Sequence, residues 1–303
     1  MKSEHLLAKG YEIVKDESTV PVGISNRDLE AENLEPQNAQ KLSIDVAPQK
    51  EKLNLYVFRP AKVEDGEKTP IVYFIHGGGY HVGNTAMLES KIQDVADGSN
   101  ATVVSPDYTL SLDPSYKYPV ELEEAYAGLL YVYQYADELN VDKDNIVIEG
   151  ESAGGEDDIY KNEYAGEFVW SKENNVFGWG KLIEGHEKKL ADEEMIYFSP
   201  ATATVEHLKG LPETFMIVGS LDLFCNEDMD YAKKLIQAGV FTELYVEPGV
   251  PHAYEYWEGT PQTERFYELR DRATARMLGS EYHPKASGEI TGFGDFLKYL
   301  FGK

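Results

Sequence analysis

Apolar and polar positions change rhythm along this chain, and the changes mark out its elements. Residues 1–50 are polar and weakly patterned, with Glu, Asn and Gln clusters, and read as an arm lying over a core rather than as part of a sheet. From Leu53 the texture alters. LNLYVF (53–58) alternates like a half-buried strand, whereas IVYFI (71–75) is a continuous β-prone run, as expected of a strand buried on both faces. ATVVSP (101–106), NIVIE (145–149), TFMIVG (214–219) and TELYVE (242–247) repeat that character. Helical spacing of apolar residues runs through Val120 to Leu139, Asp228 to Ala238 and Thr263 to Leu278, with Gly239 a C-cap for the second. Strands alternating with helices predict a mostly parallel sheet covered on both faces, with ligands at the carboxyl ends of its strands.

Composition narrows the class. The 303 residues hold 42% hydrophobic residues, enough for a sizeable core. The formal charge of −26, from 54 acidic against 28 basic residues, argues against nucleic acid and against an anionic membrane surface. Cys225 is the single cysteine, so neither an internal disulfide nor a cysteine-based zinc site is available, and it reads as packing. The first residues lack the apolar stretch of a signal peptide, and no run reaches the ~20 apolar residues of a membrane span. A cytoplasmic protein is the default reading. His81, His186 and His207 lie apart, and no metal-like cluster stands out.

The candidate chemistry sits at strand ends. Gly150-Glu151-Ser152-Ala153-Gly154 is a G-x-S-x-G directly after NIVIE, where glycines permit a sharp strand-to-helix turn that exposes the Ser152 hydroxyl. An ordinary Gly-Ser turn is the plainer alternative. His76-Gly77-Gly78-Gly79 follows IVYFI; its backbone N–H groups, with that of Ala153, suit a developing oxyanion, though a flexible glycine turn would look the same. Asp222 follows TFMIVG and His252 follows TELYVE, at the edge that carries Ser152 and in the chain order Ser, Asp, His. A turn aspartate and a surface histidine are the competing readings.

Taken together, HGGGY, SPDYTLSLDPSYKYPVELEEAY, GESAGG, GLPETFMIVGSLDLF and PGVPHAY resemble the hormone-sensitive-lipase-like family of α/β-hydrolases over roughly residues 50–155 and 165–278. The resemblance implies an α/β-hydrolase sheet under a small helical cap, and a cofactor-free serine carboxylesterase acting on short acyl esters. It implies Ser152 as nucleophile, His252 as general base and Asp222 as its orienter, with Gly78, Gly79 and Ala153 supplying the oxyanion hole. Tyr80, Phe168 and Trp170 are the candidate substrate contacts, although cap packing is the plainer role for aromatics such as Phe168, Trp170, Phe177 and Trp179. The implied divisions are 1–50 as arm and part of the cap, 51–155 and 190–280 as core, 156–189 as cap segment and 281–303 as an amphipathic tail. The tail's stripe of Phe293, Phe296, Leu297, Leu300 and Phe301 would dock on its own core or on a partner subunit, which leaves a homo-oligomer open.

One departure stands against this pattern. In the family the elbow serine opens a buried helix followed by another central strand, whereas here Gly155 runs into EDDIYKNEYAGEFVW with almost no apolar stripe. A helix–strand unit looks cut out. Losing about five buried side chains would remove roughly 10 kcal/mol, comparable with the ~5–15 kcal/mol that holds a whole domain. Closing the sheet over the gap would displace Asp222 and His252 by about 4.8 Å, far outside catalytic hydrogen-bond reach. Met195-Ile196-Tyr197-Phe198 is the one short β-prone run that would serve as a substitute strand. A catalytically impaired homologue without triad geometry is therefore the competing functional reading, and amide hydrolysis at the same site a third.

Overall fold

The computed structural model describes residues 1–15, 34–46, 52–63, 66–113, 118–153, 162–184, 192–282 and 284. The tail stripe at 293–301 and the acidic stretch 154–161 lie outside them.

Five strands form one sheet in the order β1 (Gln40–Ile44), β2 (Leu53–Phe58), β4 (Thr102–Pro106), β3 (Thr69–Ile75), β5 (Val141–Gly150). β1–β2 and β2–β4 pair antiparallel; β4–β3 and β3–β5 pair parallel. β6 (Thr214–Gly219) and β7 (Thr242–Glu247) form a separate two-stranded parallel sheet. Among the described residues β5 and β6 are not hydrogen-bonded neighbours, so the sheet is interrupted between them. The gap has not closed.

Two expectations change here, for Gln40–Ile44 and for Met195–Phe198. Gln40–Ile44 belongs to the sheet as its antiparallel edge, not to an overlying arm, because Leu42 and Ile44 find an apolar floor beside β2. Residues 1–15 do lie over the core: Ala8 N donates to Gly249 O at 2.7 Å and the buried Tyr11 hydroxyl sits 2.8 Å from Thr260 Oγ1. Met195–Phe198 is no substitute strand; it is the end of helix α4 (Asp192–Phe198), whose Ile196 turns toward a small cluster under α5 (Cys225–Gln237). The substitute-strand reading also fails on position, since those residues pair with neither open edge.

Helices cover the two faces unequally. On one face α1 (Glu89–Ser99) and α6 (Pro261–Met277) share a single core with both sheets: Val72, Phe74 and Val103 of the larger meet Leu221, Val250 and Tyr254 of the smaller unit, around Ile92, Phe266 and Tyr267. On the other face the apolar contacts divide. α2 (Val120–Gln134) packs Val132 against Leu55, Tyr73 and Val104, while α5 packs Leu235 against Ala203, Leu208 and Val240. α1 is a helix that apolar periodicity did not reveal, because Lys91, Gly98 and Ser99 are among the positions it buries.

Candidate active site

Strand ends and tight turns bring the candidate residues together. β5 ends at Gly150, and the chain then turns through Ser152 and Ala153 at φ 55° and 25°. L-residues rarely adopt such angles, and they hold the Ser152 side chain off the sheet's upper edge. Gly77 leaves room for the turn: a Cβ there would lie 2.9 Å from Glu151 O and 3.0 Å from Ser152 Cβ. The glycine run is tight for its own reason, since Gly78 stands at φ +124° and a Cβ on it would come within 1.8 Å of Val82 O. The Tyr80 hydroxyl donates to Ala153 O at 3.1 Å, tying the glycine turn to the elbow.

Asp222 and His252 arrive as one stitched unit. Ser220 N donates to Glu247 O at 2.8 Å and Leu221 N to Val250 O at 3.0 Å, so the loops after β6 and β7 move together. His252 Nδ1 lies 2.8 Å from Asp222 Oδ2, and the second Asp222 oxygen accepts from Phe224 N at 3.0 Å. Across the interruption, His252 Nε2 lies 2.7 Å from Ser152 Oγ. The feared sideways shift is absent. Burial disfavours a charged His252, but the Asp222 carboxylate, with Glu255 and Asp228, outweighs it, and the imidazole pKa is held above its ordinary value.

A cavity of about 1370 Å³ joins these groups, lined by Gly78, Gly79, Ser152, Ala153, Trp170 and His252 and continuing between β5 and β6. Trp170 stands over the site with its ring centroid 6.2 Å from that of His252, aimed by Val169 at φ 61°, a strained angle for a β-branched residue. Tyr80 lines a small hollow beside the cavity together with Trp170 and Trp179. Phe168 does not reach the cavity: it is fully buried in the shared core, where its ring is worth more out of water. On α3 (Lys172–Leu182), Phe177 packs edge-on against His81 and lines neither cavity nor hollow, while Trp179 packs against Phe198 with its hollow-facing ring. Among the described residues no cluster of three His, Cys, Asp or Glu side chains could hold a metal ion.

Sequence reading overlooked several polar groups near the site. Asp228, on α5, has its carboxyl pushed up to about 7 by burial and by Asp222. Lys91 is fully buried between Glu151 and Glu255, the residue next to the serine and one three beyond the histidine. Glu151 stood in the G-x-S motif, but nothing about Lys91 on a polar-looking helix marked it.

The family model for the alpha/beta hydrolase fold matches residues 72–156 and 156–256. The chain belongs to that family, as a carboxylesterase-type hydrolase of its hormone-sensitive-lipase-like branch. It is 27% identical over 226 residues to Carboxylesterase NlhH of Mycobacterium tuberculosis, covering 65% of this chain and 70% of that one. It is likewise 27% identical over 222 residues to an arylesterase of Saccharolobus solfataricus, covering 64% and 70%. A crystal structure of a thermostable esterase from Pseudomonas putida ECU1011 superposes with a TM-score of 0.71 at 22% identity, covering 85% of this chain and 92% of that one. The chain spans about two thirds of the length of the curated relatives it matches.

Proposed function

We propose that the protein cleaves short-chain carboxylic esters through an acyl-serine intermediate. His252 Nε2 takes the Ser152 proton as Oγ attacks the ester carbonyl, and Asp222 holds the imidazole by its other nitrogen. The tetrahedral oxyanion lies against the amides of Gly78, Gly79 and Ala153. The protonated His252 then passes its proton to the departing alcohol, and water, activated the same way, releases the acid. The observation that carries this reading is the pair of contacts at His252, 2.7 Å to Ser152 and 2.8 Å to Asp222, spanning an interrupted sheet. The cavity beside Trp170 would take a small-molecule ester. Val169, Trp170 and Asn174 of the cap segment line it, and the cytoplasm is where we place the protein.

The test is turnover of a short-chain chromogenic ester. Ser152→Ala should lower kcat by on the order of 10⁴-fold or more, and wild-type kcat/KM should rise with pH through a pKa above 6.5, as His252 loses its proton. Wild-type turnover that Ser152→Ala leaves intact removes the reading. A second reading, an impaired homologue, draws on the absent β5–β6 pairing. A fluorophosphonate that labels Ser152 excludes it, because labelling requires a working nucleophile and oxyanion site.

A further inference from the structure

The serine and the histidine hang from different sheets, and among the described residues no strand joins those sheets. Something else must hold the 2.7 Å contact between them. The shared core sets the two units roughly in place, but apolar contacts are non-directional and do not fix a hydrogen bond to a few tenths of an ångström. A polar clamp lies directly beneath the pair. Lys91, on α1, is wholly buried, and its Nζ lies 2.5 Å from Glu151 Oε1 on the serine side. The same nitrogen lies 3.3 Å from Glu255 Oε1 and donates to the Tyr256 hydroxyl at 3.2 Å, both on the histidine side. The Tyr256 hydroxyl in turn donates to Glu151 Oε2 at 3.3 Å. Lys91 also sits over the Tyr256 ring, 4.3 Å from its centroid.

Three side chains from two segments thus close around one cation. Glu151 precedes the nucleophile by one residue, and Glu255 and Tyr256 follow the base by three and four. Glu151 is held from the elbow's own backbone, so a fixed carboxylate fixes the turn that aims Ser152. Glu255 and Tyr256 belong to the short helical turn that ends the His252 loop. The Lys91–Glu151 contact is an ion pair, and the directional contacts are the hydrogen bonds from Lys91 to Glu255 and Tyr256 and from Tyr256 to Glu151, which strengthen in a low-dielectric surrounding. We infer that Lys91 is a positioning residue: its buried clamp on Glu151, Glu255 and Tyr256 sets the Ser152–His252 register between the two sheets. This rests on the acyl-serine reading for its kinetic consequence, not for its geometry.

Replacing Lys91 alone would strand two buried carboxylates, so the test neutralises the cluster. In the triple variant Lys91→Met, Glu151→Gln, Glu255→Gln, kcat on a short-chain chromogenic ester should fall about 30-fold or more with KM held within about threefold. Lys91→Arg, which keeps the charge and the reach, should hold kcat within about fivefold of wild type. A folded triple variant with wild-type kcat overturns the inference, as does an Arg variant that loses as much as the triple. If the triple variant does not fold, Glu255→Gln decides, because it cuts only the histidine arm. A fall of about fivefold or more with KM unchanged supports the clamp, and a kcat within about twofold of wild type overturns it. Should wild-type protein show no Ser152-dependent turnover, the functional reading fails and the clamp is read structurally. A crystal structure of the triple or the Glu255→Gln variant that keeps Ser152 Oγ within about 3.2 Å of His252 Nε2 then overturns it, and one that opens the contact supports it.

Discussion

The two faces of the sheet have met the same interruption differently. Beneath α1 and α6, Val147 of β5 and Ile217 of β6 pack on one apolar core, so the larger and smaller sheets share an interior. Beneath α2 and α5, Ile146 and Met216, neighbours of those residues in sequence, pack in separate clusters. Side chains alternate along a strand, so each strand beside the gap belongs to a joined face and a divided one. The joined face carries the burden that hydrogen bonding across the gap would have shared. One covering layer therefore stays continuous across the interruption.

That asymmetry predicts its own largest effect. Phe74, fully buried near the end of β3, faces the shared core. Phe74→Ala should destabilise the whole molecule by about 3–5 kcal/mol, in one cooperative transition. Leu235→Ala, in the small α5 cluster, should lower stability by about 2–4 kcal/mol and loosen β6, α5 and β7 ahead of the rest. Hydrogen exchange under mild denaturant separates the two. Equal, global effects from both variants would show that the divided face is not divided energetically.

Titration sharpens the contrast, because each unit buries a group of opposite sense. His76, stacked on Tyr108 at 4.3 Å on the larger unit, is lowered to about 4 by burial. The unfolded chain takes up that proton near 6.5 and the folded one does not, so stability present above pH 6.5 is lost as pH falls toward 4, by about 3 kcal/mol. Asp228, on the smaller unit, is raised from 3.8 to about 7. There the favoured form is protonated, and stability is lost as pH rises from about 4 through 7. The carboxyl reaches the cavity, so solvent reduces the effect, and Asp228→Asn should stabilise the protein at pH 8 by about 1–2 kcal/mol while changing little at pH 4. Denaturant midpoints at the two pH values decide both. An Asn variant with the wild-type difference between pH 4 and pH 8 would remove Asp228 from the account.

Most of the scaffold was legible in residue pattern, and the exceptions have physical causes. Six strands announced themselves by β-prone runs: unbroken in the doubly buried Ile71–Ile75 and in the half-buried Thr214–Gly219, alternating in the antiparallel Leu53–Phe58. β1 did not, because an edge strand with the exposures of Gln40 and Lys41 looks like polar arm. The candidate residues Ser152, Asp222 and His252 were legible because each follows a strand in the order a hydrolase elbow imposes. Their distances were not, since nothing local records whether a gap has closed. Phe168 misled for a related reason: an aromatic beside Trp170 looks equally fit for pocket or core until the backbone turn at Val169 separates them. Lys91 was invisible because lysine on a helix ordinarily reads as solvent-facing, and its two acidic partners lie 60 and 164 positions away.

The smallest expected effect bears on what covers the divided face. Ile148, on β5 beside the gap, is 58% exposed, and Leu122, Tyr126, Leu130 and Tyr133 form an exposed stripe along α2. Val147, one residue earlier, packs on the shared core instead. Ile148→Lys should therefore change stability by less than about 0.5 kcal/mol, since an exposed aliphatic residue has little burial to lose. Val147→Lys should lower it by several kcal/mol, as an unpaired cation is forced into apolar surroundings. Matched chemical denaturation of the two variants gives the comparison directly. A loss above about 2 kcal/mol for Ile148→Lys would mean that this edge is covered in solution. The subunit mass of wild type and variant then separates cover by a second copy, which would be lost on substitution, from cover by the same chain.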